Sequence, residues 1–244
     1  MKLRASLRFP RRRELKRHRL GDLCSRDGRA ATGSRECRRV TGTPQEPVVR
    51  TRWGVLGGAF DPPHLGHFRL AQAAADELQL ERVLWVPTYR PPHKRHDRLS
   101  PFASRALMAE MTARRDRRFD VSRVEETLPG DSFTVKTLAH LGRALPELEL
   151  FFIVGADVLP ELGDWFKPER IGRWATLACG ARPGYVRPDP ASLPVSPMIY
   201  FESPEVEISS SAIRARISRG QAIAGMVAPD VEEYIRQNSL YLSP

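Results

Sequence analysis

Short apolar runs alternate with helical patterns from residue 51 onward. The apolar runs predict strands over residues 53–58, 82–87, 119–124, 148–155, 175–179 and 198–201. Apolar residues spaced three or four positions apart predict helices over residues 68–80, 101–115, 133–145, 210–219 and 229–237. Residues 150–154 contain no polar side chain, which is typical of a strand buried on both faces. The alternation therefore predicts an α/β fold with a doubly wound, mainly parallel sheet.

Glycines, prolines and two histidines follow the first predicted strand, in the sequence GGAFDPPHLGH over residues 57–67. In doubly wound sheets, ligands bind outside the carboxyl ends of the strands, where this block lies. Gly57 and Gly58 let the backbone approach a phosphate closely. His64 and His67 share one side of a helix start, near the positive end of the helix dipole. The block favours polyphosphate binding over its alternatives, a histidine pair that holds zinc or two surface histidines.

Three serines and an arginine form a second block near the C-terminus, in the sequence EISSSAIR over residues 207–214. The hydroxyls of Ser209, Ser210 and Ser211 stand at a helix start, where they can cap the helix or donate to an anion. Arg214 lies one turn further on and can reach the same oxygens. By itself this block is typical of a well-capped helix, but together with the first block it indicates a second phosphate contact.

Charge is distributed unevenly along the 244 residues. The chain carries 39 Lys and Arg against 29 Asp and Glu, and residues 1–50 hold 15 of the basic and 5 of the acidic side chains. Residues 51–244 therefore hold 24 of each, so the formal charge of +10 does not indicate that the folded part binds nucleic acid. The sequences GxxxxGK[ST] and GxGxxG are absent, which argues against a P-loop kinase and a dinucleotide-dependent dehydrogenase.

We predict two parts of the chain, a basic disordered leader over residues 1–50 and one folded domain over residues 51–244. The leader is interpreted as a functionless tail, a polyanion-binding arm, an Arg-rich transit-like segment or a stretch added by a misplaced start. No apolar run approaches the ~20 residues that span a bilayer. The cysteines, Cys24, Cys37 and Cys179, show no paired spacing. These features predict a cytoplasmic protein without a membrane or specific nucleic-acid partner, and they leave homo-oligomer formation open.

The two blocks together resemble the nucleotidyltransferase superfamily that shares an H-x-G-H loop and an I-S-S-T-x-I-R-like loop. Further blocks narrow the resemblance to the bacterial nicotinate-nucleotide adenylyltransferases, and they occur in that family's order: PTYRPPHK over residues 87–94, DSFT over 131–134, FIVGAD over 152–157, DWF over 164–166 and CGARPGY over 179–185. The resemblance implies a Rossmann-like nucleotidyltransferase fold for the domain. It also implies adenylyl transfer from ATP to nicotinate mononucleotide, with Mg²⁺ accompanying ATP and no separate metal site on the protein.

The resemblance also implies a set of site residues. The catalytic residues would be His64, His67, Lys94 and Arg214. The ATP-binding residues would be Gly57, Gly58, Phe60, His64, Gly66, His67, Gly155, Asp157, Ile208, Ser209, Ser210 and Arg214. The residues binding nicotinate mononucleotide would be Thr88, His93, Lys94, Thr134, Trp165, Phe166 and Arg182, with Trp165 facing the ring and the amides of Thr134 and Phe166 holding the carboxylate.

The chain departs from the family pattern at three places. Ala59 stands where the family usually has Ser or Thr, Ser211 replaces a Thr, and the pair Thr88-Tyr89 stands where Asn is common. The nearest alternative function is that of a sister enzyme, such as phosphopantetheine adenylyltransferase or a cytidylyltransferase. Two others are a nucleic-acid-binding protein that acts through the leader, and a nucleotide sensor without activity.

Overall fold

The computed structural model of the chain describes residues 50–92 and 99–242. Six strands occur in these residues: β1 (Thr51–Gly58), β2 (Arg82–Pro87), β3 (Phe119–Val121), β4 (Leu148–Gly155), β5 (Thr176–Ala181) and β6 (Met198–Glu202). They form one parallel sheet in the order β3-β2-β1-β4-β5-β6. The predicted doubly wound, parallel α/β fold is confirmed. The strand order reverses between β1 and β4, and this reversal is where such sheets place their ligands.

Helices cover both faces of the sheet. They are α1 (Leu65–Glu77), α2 (Phe102–Ala113), α3 (Thr134–Ala144), α4 (Ser210–Ser218) and α5 (Pro229–Gln237). Short 3₁₀ segments occur at Val124–Thr127, Ala156–Asp164, Pro168–Arg173 and Pro190–Ser192. Successive strand side chains point to opposite faces. Accordingly, Val55 of β1 belongs to the core cluster around Phe152 and Leu138, whereas Leu56 belongs to the cluster around Trp85.

A third apolar cluster joins α2 to the C-terminal helices. It contains Met108 of α2, Ile213 of α4, and Val231 and Ile235 of α5. The local sequence favours both C-terminal helices, since the Ser209 hydroxyl accepts a hydrogen bond from the amide of Ala212 at 3.1 Å and so caps α4. Pro229 opens α5, where its missing N–H costs nothing. The cluster therefore packs the second sequence block against the helix that follows β2.

Several element boundaries differ from the sequence predictions by one to three residues, and the largest differences are at β3 and α1. The predicted strand at 119–124 was wrong beyond Val121, because the hydroxyl of Ser122 accepts from the amide of Val124 at 3.3 Å and the chain turns into a 3₁₀ segment that buries Val124. Helix α1 begins at Leu65, three residues before the predicted start at 68. His64 is its N-cap residue, with an extended backbone at φ −140° and ψ 171°.

Some predictions fall on residues that the model does not describe. The leader lies outside the described residues except for Arg50, and so do the predicted site residues His93 and Lys94. Within residues 50–92 and 99–242, no helix has the length and apolar character needed to cross a bilayer.

Candidate active site

A cleft of about 760 Å³ opens at the carboxyl ends of β1 and β4. It brings together most of the residues singled out in the sequence. Those that line it are Gly57, Gly58, His64, Gly66, His67, Thr88, Thr134, Gly155, Asp157, Trp165, Phe166, Arg182, Ile208 and Ser209. Phe60, Ser210 and Arg214 do not line the cleft and have other contacts. The volume lies within the range of small-molecule sites in proteins.

The two histidines of the first block lie side by side in the cleft. Their ring centroids are 3.8 Å apart, and the backbone N–H of His64 donates to Nδ1 of His67 at 3.2 Å. Burial lowers the pKa of His64 to about 4, and burial together with the neighbouring His64 lowers the pKa of His67 well below its ordinary value. Both rings are therefore neutral at pH 7. Because Nδ1 of His67 accepts a hydrogen bond, its single proton is on Nε2, which leaves that atom as a donor.

Phe60 packs against His67 on the core side of the histidine pair. Its side chain is buried, and its ring lies edge-on to His67 and stacked on Trp85, with centroid distances of 5.1 Å in both cases. Its backbone adopts φ +50°, which is uncommon for a residue with a Cβ. Phe60 therefore packs in the core beneath the site.

Gly66 is the point of the first block that approaches the second block. A Cβ at this position would lie 2.9 Å from Nδ1 of His64 and 3.6 Å from the carbonyl oxygen of Ile208. A residue with a Cβ would therefore displace the His64 ring, whereas the Ile208 carbonyl would only be in van der Waals contact with it. This close approach explains why a glycine stands between the two histidines.

The second block is tied to the first by hydrogen bonds. The hydroxyl of Ser210 donates to the carbonyl of Pro62 at 2.8 Å. The guanidinium of Arg214 donates to the carbonyl of Asp61 at 2.8 Å and to the hydroxyl of Ser211 at 3.3 Å. These two side chains thus join α4 to the loop between β1 and α1, while Ile208 and Ser209 form the neighbouring wall of the cleft.

The turn after β4 contributes a carboxylate to the same cleft. Asp157 is exposed and lies two residues after the end of β4. A Cβ on Gly155 would be 2.4 Å from Oδ1 of Asp157, so the glycine lets the carboxylate lie over the turn. Asp157 and the histidine pair therefore flank the point where the strand order reverses.

Aromatic side chains form the other end of the cleft. The rings of Phe133 and Phe166 are 4.4 Å apart between centroids, and Trp165 meets the buried Phe152 edge-on at 6.1 Å. Phe166 is 40% exposed, which is unusual for a phenylalanine. Thr134 begins α3 here, so the N-terminal amides of that helix lie beside the rings. This end of the cleft suits a planar ring that carries a negative charge.

Sequence reasoning missed two polar residues at this end. Glu125 is buried and lines the cleft, where its Oε2 accepts from the amide of Tyr89 at 3.0 Å and its Oε1 accepts from the hydroxyl of Thr137 at 2.8 Å. Tyr185 also lines the cleft and donates to the carbonyl of Ala156 at 3.4 Å. Glu125 carries no local signal, because it lies in a pair of glutamates that reads as exposed surface, whereas Tyr185 closes the block CGARPGY, in which only Arg182 was assigned to the site.

Arg182 is an exposed residue among the predicted contacts. It lines the cleft, and its guanidinium is 3.6 Å from the carboxylate of Glu205 with both side chains at least half exposed. An ion pair this exposed contributes little stability, so the arginine remains available to an incoming anion. Among the described residues, no three His, Cys, Asp or Glu side chains cluster closely enough to hold a metal ion.

Comparison with known proteins places the chain in a family. The family model described as cytidylyltransferase-like matches residues 55–216. The chain is 44% identical over 190 residues to the protein named probable nicotinate-nucleotide adenylyltransferase in Thermus thermophilus, with 78% of this chain and 99% of that one covered. It is 35% identical over 208 residues to the protein of the same name in Synechococcus, with 83% and 100% covered.

Solved structures share the fold. The nicotinic acid mononucleotide adenylyltransferase of Plasmodium falciparum complexed with NaAD superposes with a TM-score of 0.67 at 18% identity, covering 78% of this chain and 97% of that one. The same enzyme complexed with APC gives a TM-score of 0.64 at 17% identity, with the same coverage. Together with the matches of sequence, these findings confirm the resemblance: the chain belongs to the cytidylyltransferase-like nucleotidyltransferases, in the family of the nicotinate-nucleotide adenylyltransferases.

Proposed function

We propose that this protein transfers the adenylyl group of ATP to nicotinate mononucleotide, giving nicotinate adenine dinucleotide and pyrophosphate, as a step of NAD biosynthesis in the cytoplasm. One observation carries the proposal. A single cleft holds a neutral histidine pair at the point where the strand order reverses and, at its other end, an aromatic group beside the start of α3. The first end suits a triphosphate and the second suits a ring with a carboxylate.

The chemistry needs no general base. A 5′-phosphate oxygen of the mononucleotide attacks the α-phosphorus of ATP, the bond from that phosphorus to the oxygen bridging to the β-phosphate breaks, and pyrophosphate leaves. The attacking phosphate is already anionic at neutral pH, so no proton has to be removed. Catalysis then consists of positioning both substrates and stabilising the charge that moves onto the leaving group.

His64 and His67 are proposed to stabilise the leaving group. A neutral imidazole can donate one hydrogen bond, and the bond that Nδ1 of His67 accepts keeps its proton on Nε2. The loop glycines Gly57 and Gly58 would let backbone amides reach the phosphates. Lys94 and His93 are proposed to add charge at the phosphates, and Asp157 to contact the adenosine.

The acceptor is proposed to bind at the aromatic end. Trp165 would stack on the pyridine ring, and the amides of Thr134, at the start of α3, and of Phe166 would hold the carboxylate. Backbone amides recognise a carboxylate without a fixed cation, and they would offer nothing to a nicotinamide N–H₂ group. Arg182 is proposed to meet the phosphate of the mononucleotide.

Nucleotidyltransferases of this family typically use a divalent metal ion. We propose Mg²⁺, arriving as part of the substrate MgATP. Triphosphate oxygens and water supply the ligands that this hard cation prefers. The protein residues would bind and orient the complex through its phosphates.

A direct assay tests the function. The full chain is incubated with ATP, Mg²⁺ and one acceptor at a time: nicotinate mononucleotide, nicotinamide mononucleotide or phosphopantetheine. We expect pyrophosphate release and a dinucleotide product, detected by mass spectrometry, with nicotinate mononucleotide as the most efficient acceptor. Turnover with phosphopantetheine and neither mononucleotide would assign the protein to the sister enzyme instead.

A further inference from the structure

Asp61 is a buried carboxylate in the first sequence block, and it does not line the cleft. Its side chain is 2% exposed, three residues before His64. Oδ1 accepts from the hydroxyl of Tyr241 at 2.7 Å, and Oδ2 accepts from the amide of Ser100 at 3.3 Å. Burying a charge is costly unless donors satisfy it. The carboxylate is therefore engaged by the protein itself and is not directed at a substrate.

Arg105 of α2 lies beside this carboxylate and holds three backbone carbonyls. Its guanidinium donates to the oxygens of Ala59 at 2.6 Å, Thr88 at 2.8 Å and Ser100 at 3.0 Å. Ala59 follows β1, Thr88 follows β2 and lines the cleft, and Ser100 precedes α2. Burial lowers the pKa of Arg105, and the carboxylate of Asp61 opposes that shift. The buried pair thus fixes the two loops that bound the phosphate end of the cleft.

Tyr241 reaches Asp61 from the opposite end of the chain. It follows α5, and its side chain packs against the third apolar cluster. Its backbone is held at φ +65°, a conformation that a tyrosine keeps only where surrounding contacts maintain it. Burial and the nearby Asp61 raise the pKa of the hydroxyl, so that it stays protonated and donates at neutral pH.

We propose that Tyr241 is a positioning residue for adenylyl transfer: its hydroxyl anchors Asp61, and through Asp61 it sets the loop that places His64 and His67 in the cleft. The proposal rests on the proposed function. Asp61 is joined to His64 through two prolines, which leave the connecting backbone few ways to absorb a displacement. Loss of the Tyr241 hydroxyl would leave Oδ1 of Asp61 without that donor. The loop between β1 and α1 would then be less firmly held at Asp61.

The test is the change Tyr241→Phe, which removes only the hydroxyl. Steady-state kinetics are measured with MgATP and nicotinate mononucleotide varied in turn, at a temperature where thermal melts show the variant to be folded. We expect kcat/KM for ATP to fall about tenfold, the size expected from losing a hydrogen bond to a charged group, while KM for the mononucleotide stays within twofold. The side-chain NMR signals of His64 and His67 should also shift without any ligand.

Tyr234→Phe is the matched control. Tyr234 packs with the same apolar cluster, and its hydroxyl donates to the Ser104 hydroxyl at 3.1 Å, without reaching Asp61. Its kinetic constants should stay within twofold of the wild type. An equal loss in both tyrosine variants, or wild-type kinetics in Tyr241→Phe, would overturn the positioning role.

The variant Asp61→Asn tests whether the hydroxyl of Tyr241 acts through Asp61. It also replaces Tyr241→Phe as the test if that variant is poorly folded. If the hydroxyl acts through Asp61, the double variant that combines Tyr241→Phe with Asp61→Asn should be no less active than Asp61→Asn alone. Fully additive losses of activity would show that Tyr241 does not act through Asp61. Failure of the proposed function appears differently: the wild type would then give no product from nicotinate mononucleotide. An active wild type with an unaffected Tyr241→Phe variant would reject the positioning role alone.

Discussion

At the phosphate end of the cleft, other parts of the chain hold the loop between β1 and α1 with directed hydrogen bonds, whereas at the acceptor end the rings of Phe166 and Trp165 pack against other rings, beside the hydrogen-bonded Glu125. Arg105, Tyr241, Ser210 and Arg214 all donate to that loop. Phe166 at the other end is 40% exposed, and its ring lies against that of Phe133. Hydrogen bonds have strict distance and angle requirements, while ring contacts tolerate sliding.

This contrast corresponds to the two tasks of the proposed reaction. Charge moves between phosphate groups during transfer, and donors stabilise it only if they are already in place. The acceptor ring takes no part in bond making, so it has only to be bound and oriented. Changes at the phosphate end should therefore alter kcat, and changes at the acceptor end should alter KM for one substrate.

The largest effect is expected for His67→Ala. Loss of a donor that acts as charge develops should lower kcat about 10²–10³-fold, equivalent to ~2.7–4 kcal/mol. His64→Ala should lower kcat similarly, with a further rise of KM for ATP. His140→Ala is the control, since that histidine lies on α3 and does not line the cleft. If both cleft variants kept the wild-type kcat at saturating ATP, their histidines would have a structural role only.

The histidine pair should also make stability depend on pH. The unfolded chain protonates His64 near pH 6.5, whereas burial keeps it neutral in the folded chain down to about pH 4. The unfolded state therefore binds more protons between these values, and the free energy of unfolding falls as the pH is lowered from 7 to 5. His64 alone should account for roughly 2 kcal/mol of that fall.

Urea unfolding at pH 7, 6 and 5 measures this dependence. The variant His64→Gln cannot be protonated, so its free energy of unfolding should decrease less between pH 7 and pH 5 than that of the wild type. Parallel curves for the two proteins would show that His64 is not held neutral by burial, which would weaken the contrast between the two ends of the cleft.

The acceptor end should respond to Trp165→Ala with a change in one Michaelis constant. We expect KM for nicotinate mononucleotide to rise about tenfold, ~1.4 kcal/mol, because a stacked ring face is lost. KM for ATP should change less than about threefold, below ~0.7 kcal/mol. Trp165→Phe should recover part of the loss, since the smaller ring still stacks.

Trp174→Phe is the matched control for Trp165→Phe. Trp174 packs against the same core cluster but does not line the cleft, so its truncation should alter stability without altering either KM. An unchanged acceptor KM in a folded Trp165→Ala variant would assign that tryptophan to the core and reopen the sister-enzyme function.

The smallest effect is expected for removal of residues 1–47. Their composition predicts disorder, and residues 51–244 carry a balanced charge. Melting temperature and turnover should match the full chain within error, while any binding of a polyanion such as heparin should weaken. A collapse of activity would show that the leader belongs to the folded protein.

The sequence alone determined the sheet and the place of the site. The apolar runs at 82–87 and 148–155 match β2 and β4, because a strand buried between two layers admits few polar residues. Residues of both sequence blocks line one cleft, since loops that follow parallel strands meet at one edge of the sheet. These inferences need only local patterns and the geometry of βαβ units.

Only the tertiary structure decided what each polar group contacts. Arg214 contacts the carbonyl of Asp61, Phe60 lies beneath His67, and Tyr241 donates to a carboxylate 180 positions away in the chain. Hydrogen bonds depend on distances and angles that spacing along the sequence does not determine for residues so far apart. The pKa of His64 likewise depends on burial by segments remote in the sequence.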